Sequence, residues 1–163
     1  MLTRSRRRSV RYSSVVLMSF LVTSCGGNSS PTGPSGETSF LTGTWRGTLT
    51  ITRSGQPDVT GGTTWTFEVT PQTGRQNFRT TIQSDNAWLP ITTTASSVIG
   101  PSAEPPGQIA TNGTYASPRG CRGDFSSVGE VQARTIDTSF IGVDCDQGSG
   151  RVGFEGRVRL TKQ

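Results

Sequence analysis

The clearest signal along the chain is a two-residue alternation of apolar and polar positions that returns several times. Over residues 44–53, Trp45, Gly47, Leu49 and Ile51 alternate with polar neighbours, the period of a strand with one buried and one wet face. A turn through 54–58 and Gly61–Gly62 leads to 64–70, where Trp65, Phe67 and Val69 repeat the period. Phe78, Thr80 and Ile82 continue it in a third strand beyond a turn at Pro71 to Gly74. A fourth strand is expected over 91–99, followed by a Gly/Pro loop over 100–107. Shorter strands are expected near 109–115, 120–125, 130–136 and 139–145. The last, over 151–161, turns Val152, Phe154, Gly156, Val158 and Leu160 inward and Arg151, Glu155, Arg157 and Arg159 outward. No window carries a helical period. The pattern predicts an all-β domain, a small antiparallel up-and-down β-barrel of about eight strands, with a β-sandwich as the alternative. Closure into a barrel would remove exposed strand edges, and inward glycines fit its curvature.

The stretch before the first strand has a different character. Arg4, Arg6, Arg7, Arg8 and Arg11 precede an apolar run over 15–22, which is far short of the ~20 residues a membrane-spanning helix needs. The sequence Leu21-Val22-Thr23-Ser24-Cys25 that closes this run resembles a bacterial lipobox. The resemblance implies a signal peptide over 1–24, removed on export, and lipid attached to Cys25. Ser5-Arg6-Arg7 also hints at twin-arginine export. Residues 26–39 hold no apolar side chain to bury and read as a flexible tether spanning about 20 Å. The expected organisation is a signal peptide over 1–24, a lipidated Cys25 and linker over 25–39, and one β domain over 40–163. Gly26 stands where an inner-membrane retention signal would place Asp, so the same resemblance favours the outer membrane.

Charge and cysteine content change the functional picture. Of the sixteen Lys and Arg residues, five are the arginines of that leader, so the remainder balance the eleven Asp and Glu residues. A neutral mature domain has no electrostatic footprint for nucleic acid, and none is expected as a partner. With Cys25 used for lipid, Cys121 and Cys145 remain as an even pair in an oxidising compartment, and a disulfide between them is expected.

Leu41-Thr42-Gly43-Thr44-Trp45, together with the arginines of the last strand, resembles the two termini of calycin barrels, the lipocalins and avidins. That resemblance implies that an arginine from the final strand, Arg157 or Arg159, packs over the Trp45 indole. Past Trp45 the match fails, because Arg46-Gly47 stands where an avidin begins its biotin-contacting residues, and no ligand site is carried over. A broader likeness is to bacterial lipoproteins with repeated Gly-Thr-Trp/Tyr units, here Gly43-Thr44-Trp45 and Gly113-Thr114-Tyr115. It brings a fold expectation and no activity.

The chain contains no histidine, which excludes Ser-His-Asp and Cys-His nucleophilic systems and the usual His-bearing zinc sites. No carboxylates form a recognisable acid–base pair, so an enzyme is not expected, nor a metal or other cofactor. Asp144, Asp146 and Glu155 partly mimic a calcium loop, but Ser149 stands where that loop needs glycine; a polar hairpin turn is preferred. Arg122-Gly123-Asp124 spells an integrin tripeptide, but the alternation of Cys121, Gly123 and Phe125 places it on a strand. Trp45, Trp65, Trp88, Phe67, Phe78, Phe140 and Phe154 either fill the barrel or line a cavity, and filling is preferred. Should a ligand contact the domain, Trp88, Trp65 and Phe67 are the candidates, Trp88 first because it stands in an irregular loop. The expectation is a membrane-anchored, non-catalytic envelope module whose partner is an envelope protein or a glycan. The alternative is a calycin-like carrier of a small apolar ligand.

Overall fold

A computed structural model describes residues 40–70, 77–100, 105–146 and 150–163. The signal peptide, Cys25 and the linker lie outside them, as does the Pro71 to Gly74 turn. Eight strands follow one another: β1 (Gly43–Thr52), β2 (Val59–Thr70), β3 (Asn77–Ser84), β4 (Thr92–Gly100), β5 (Gly107–Ala116), β6 (Arg122–Val131), β7 (Thr135–Asp146) and β8 (Gly150–Lys162). Each pairs antiparallel with the next, and β8 returns to β1, closing an up-and-down barrel. The sandwich alternative does not arise.

Two expectations about strand boundaries are corrected. Gly61 and Gly62 belong to β2, opposite Leu49 and Thr48 of β1, and do not form a turn. A Cβ at Gly61 would lie 2.3 Å from Asn86 Cα, so glycine here gives the β3–β4 loop room to press onto the strand. The second correction concerns 120–125 and 130–136, which are not separate strands. β6 runs unbroken through Ser126–Gly129, and the turn falls at 132–134, where the Gln132 amide donates to the Thr135 carbonyl at 2.8 Å.

Side chains fill the interior. One aromatic group joins Trp45, Trp65, Phe67 and Phe78, with Phe67 meeting Trp45 and Phe78 edge to face at 6.4 and 6.3 Å. A second runs Tyr115–Phe125–Phe140–Phe154 across β5 to β8. Three of its rings lie over an inward glycine directly opposite on the neighbouring strand: Phe125 over Gly113, Tyr115 over Gly123 and Phe154 over Gly142. A ring thus takes the volume a glycine leaves, which lets large side chains fit inside a narrow barrel. The inward residues Trp45, Phe67, Ile82, Ile109, Phe140 and Val158 are all 0–2% exposed. Among the described residues these inward positions are packed against one another and present almost no accessible surface.

A belt of hydroxyls crosses this apolar interior. Thr80 and Ser97 share a hydrogen bond at 2.6 Å, and Ser97 and Thr111 share one at 2.7 Å. Ser127 and Thr138 extend the belt to β6 and β7, where their buried hydroxyls meet no protein partner.

Candidate functional site

Strand direction separates the two ends of the barrel. The chain enters at Phe40, beside the start of β1, and this end is sealed by its own terminal segments. Trp45 Nε1 donates to the Leu41 carbonyl at 2.8 Å, and Lys162 Nζ donates to the Phe40 carbonyl. The cation over the Trp45 ring is Lys162, at 5.6 Å; the expected pairing with Arg157 or Arg159 is not formed. Parity along β8 explains why. Lys162 shares the inward register of Val158 and Leu160 and stands opposite Trp45, whereas Arg157 and Arg159 point outward and both pair with Asp137. The hydrogen bond from Arg157 holds the Asp137 carboxyl below the usual carboxylate range.

The opposite end is built differently. Among the described residues three connections converge there: the turn after β1 beginning at Arg53, the β3–β4 loop over 85–91, and the β5–β6 loop over 117–121. The middle one folds into the barrel mouth, burying Asn86 and Leu89 completely and Ile91 almost so. Asn86 holds it in place with all its bonding capacity directed at backbone. Its Nδ2 donates to the Leu49 and Val59 carbonyls at 3.0 and 2.7 Å, and its Oδ1 accepts from the Trp88 and Leu89 amides at 3.0 and 3.2 Å. The Gly62 amide also donates to Asp85 Oδ1. The loop is therefore a fixed plug.

Above the plug sits Trp88, partly buried, its ring edge-on to Phe154 at 5.1 Å. Two guanidinium groups lie over the indole: Arg119 with its Cζ 4.3 Å from the ring centroid and Arg53 at 4.8 Å. These are cation–π distances. Arg119 is anchored further, since Nη1 donates to Asp144 at 2.7 Å and Nη2 to the Trp88 carbonyl at 2.8 Å. Asp144 is 0% exposed at its side chain and also accepts the Cys145 amide at 2.7 Å. The Cys121–Cys145 disulfide is formed, with Cα atoms 6.3 Å apart, and ties the β5–β6 loop to the end of β7. Tyr115 is buried beneath, its hydroxyl without a hydrogen-bond partner. Burial first, and then the neighbouring Asp144 charge, push its pKa above the ordinary phenol value.

The sequence-predicted residues are thus divided between interior and mouth. Trp65 and Phe67 are each 1% exposed and belong to the packed core, while Trp88 alone of the three stands at the mouth. Arg53, Arg119, Asn86 and Asp144 were not singled out as a group, because no periodicity links loops so far apart in sequence. The available clue was an apolar Trp88-Leu89 pair inside an otherwise polar loop. Asp144 and Glu155 do not face a common point: Asp144 is buried against Arg119 and Glu155 is exposed on β8. The sulfurs nearest Asp144 are tied in the disulfide, so they are not thiolate ligands for a metal. The integrin-like tripeptide lies on β6, with Gly123 buried, Arg122 donating to Thr114 and Asp124 paired to Arg151.

Burial holds Tyr115 protonated, Asp144 is committed to Arg119, and the part-exposed groups here are the Trp88 indole and the two guanidinium groups over its ring. The class so defined is a small, closed, side-chain-filled antiparallel barrel with a cross-linked aromatic–cationic mouth. No protein-family model matches the chain, and no similar curated protein or solved structure is found.

Proposed function

We propose that this chain is an exported lipoprotein, anchored through Cys25 to the bacterial envelope, by preference the outer membrane. Its barrel serves there as a non-catalytic binding module for an envelope protein or glycan. The observation that carries the reading is the filled interior, whose inward aromatic side chains are 0–4% exposed. A ligand must then be met at the surface, which weighs against a calycin-like carrier. The position of the mouth adds support. Chain entry at Phe40 and the Trp88 mouth lie at opposite ends of the strands, so an N-terminal tether leaves the mouth free to meet a partner. The neutral domain charge and the disulfide both suit an extracytoplasmic setting without nucleic acid.

Intact mass spectrometry of the native protein purified from membranes tests this. The expected product begins at Cys25, carries acyl chains there, gains two hydrogens on reduction of Cys121–Cys145, and holds no stoichiometric small molecule. An unacylated chain retaining residues 1–24 would overturn the anchorage. A stoichiometric apolar ligand would overturn the surface module in favour of the carrier.

A further inference from the structure

The two arginines at the mouth are not equivalent, and the difference identifies what the mouth takes. Arg119 is satisfied within the protein: one arm bonds Asp144, the other bonds the Trp88 carbonyl, and its Cζ lies over the indole. Those contacts suffice to pin the loop. Arg53 contributes a second cation over the same ring, yet forms no ion pair among the described residues, and its Nε is buried without an acceptor. None of the carboxylates described near this end pairs with Arg53, and Glu155, opposite Thr52 on β8, is exposed on the outer wall. Asp144 holds Arg119, Asp58 accepts from Thr52 Oγ1 at 2.9 Å, Asp85 accepts from the Gly62 amide, and Asp124 pairs with Arg151. Two guanidinium groups therefore share one indole, and of the two only Arg119 has a carboxylate partner among the described residues, in a partly buried setting where screening by water is weaker.

A partly desolvated guanidinium without an acceptor costs free energy, and the fork of Arg53 Nη1 and Nη2 is matched by the planar or tetrahedral oxygens of an oxyanion. We infer that the mouth formed by Arg53, Trp88 and Arg119 is a binding site for an oxyanion group, carboxylate or phosphate, carried by the ligand. Arg53 supplies the forked donors, Trp88 the apolar floor that holds its side chain in place, and Arg119 a second positive charge fixed by Asp144. This inference rests on reading the mouth as the recognition surface. It narrows the partner to one presenting an acidic group, such as a uronic acid, a phosphorylated sugar or a carboxylate of an envelope protein.

The test is a titration of the native full-length protein, labelled with nitrogen-15, with inorganic phosphate and separately with sodium glucuronate. Ionic strength is held constant with chloride, and glucose serves as the neutral control. The readouts are the Nε–H resonances of the arginines and the three indole N–H resonances. The expected result is saturable shifts at Arg53, Arg119 and Trp88 with at least one oxyanion, none at Trp45 or Trp65, and none with glucose. Arg53→Gln should weaken the affinity at least tenfold while the backbone spectrum away from residues 53–58 and the surroundings of Trp88 stays unchanged, since Arg53 makes no side-chain hydrogen bond among the described residues. Phosphate and glucuronate together separate a phosphate ligand from a carboxylate one. Shifts that fail to saturate, or that persist undiminished in Arg53→Gln, would overturn the site. Saturable binding by a chain that proves unacylated would keep the site and remove the envelope role. An acylated chain without binding would do the reverse.

Discussion

Asn86 gives the sharpest test of how the mouth is held, because one side chain there serves four backbone groups from three segments. It is 0% exposed, donates to the Leu49 and Val59 carbonyls and accepts from the Trp88 and Leu89 amides. Asn86→Ala leaves all four without their partner. At about 1 kcal/mol for each net bond the loss sums to about 4 kcal/mol, reduced towards 3 if water enters the vacated space. That is a large share of a whole-domain stability of about 5–15 kcal/mol. Urea unfolding followed by tryptophan fluorescence should show a fall in midpoint at unchanged slope, and heating a fall of roughly 10–15 °C. Asn86→Asp separates hydrogen bonding from shape. The new carboxyl keeps both accepted bonds but turns its other oxygen towards two carbonyl oxygens, and burial adds to the repulsion, so its pKa in the folded state is raised. An acid with a raised folded pKa costs stability only above its unfolded value near 4, and the cost grows until pH passes the folded pKa. This variant should therefore lie closest to the parent at acid pH and lose ground as pH rises. A loss below about 1 kcal/mol for Asn86→Ala, or a flat pH difference for Asn86→Asp, would refute the claim that the side chain carries the plug.

Three further expectations follow from the same structure. Replacing Cys121 and Cys145 together by alanine opens a link between residues 24 apart in sequence; in the chain-entropy model this costs about 3.5 kcal/mol, readable as a midpoint difference that a reducing agent abolishes in the parent. Tyr115→Phe removes a buried hydroxyl that has no partner, so stability at neutral pH should hold or rise by up to about 1 kcal/mol. Because the folded phenol pKa is raised, the parent loses stability as pH climbs past the unfolded value near 10, and the variant should lack that component. Gly47→Ala would place a Cβ 1.8 Å from the Arg159 carbonyl oxygen, where β1 and β8 close the barrel; a loss of at least about 2–3 kcal/mol, or failure to fold, is expected by thermal melting.

What the sequence made legible depended on how cleanly one face of each strand was apolar. β1 and β8 carry inward Trp45, Leu49, Ile51 and Phe154, Val158, Leu160 against polar outward neighbours, and their extents were read to within a residue or two. β6 and β7 were misread because the hydroxyl belt inverts the pattern. Ser127 and Thr138 point inward at 1% exposure, while Val128 and Ile141 point outward at 55% and 57%. Reading apolar as inward breaks each strand at that point. The first half of β2 was lost for another reason: Gly61-Gly62 has the composition of a turn, and only the later Asn86 loop explains why glycine is needed in the strand. At the mouth, Trp88 stood out as an aromatic residue in a loop. Its cationic neighbours did not, since Arg53 and Arg119 reach it from other connections 35 residues before and 31 after. The disulfide was accessible by parity of count alone. The Trp45–arginine pairing failed on strand parity, which already separates an inward Trp45 from outward Arg157 and Arg159.

The two ends of the barrel also differ in how their contacts are distributed along the chain, and this bears on which residue can report on binding. The entry end is sealed by neighbours of the termini: Leu41 with Trp45, and Lys162 with Phe40. The mouth is sealed by contacts between connections far apart in sequence, namely Asn86 with Leu49 and Val59, Arg119 with Trp88 and Asp144, and Cys121 with Cys145. Loops bonded to one another in this way are ordered before a ligand arrives, so little conformational entropy is lost on binding there. The same cross-linking makes most mouth residues poor probes. Changing Arg119 uncouples a buried Asp144 and releases the plug, so a loss of affinity would mix folding with recognition. Arg53 escapes this, for it lies over the face of Trp88 and makes no ion pair or side-chain hydrogen bond among the described residues. Arg53→Gln keeps a polar chain of similar reach and removes the charge that lacks a partner, which makes it the substitution whose effect belongs to recognition.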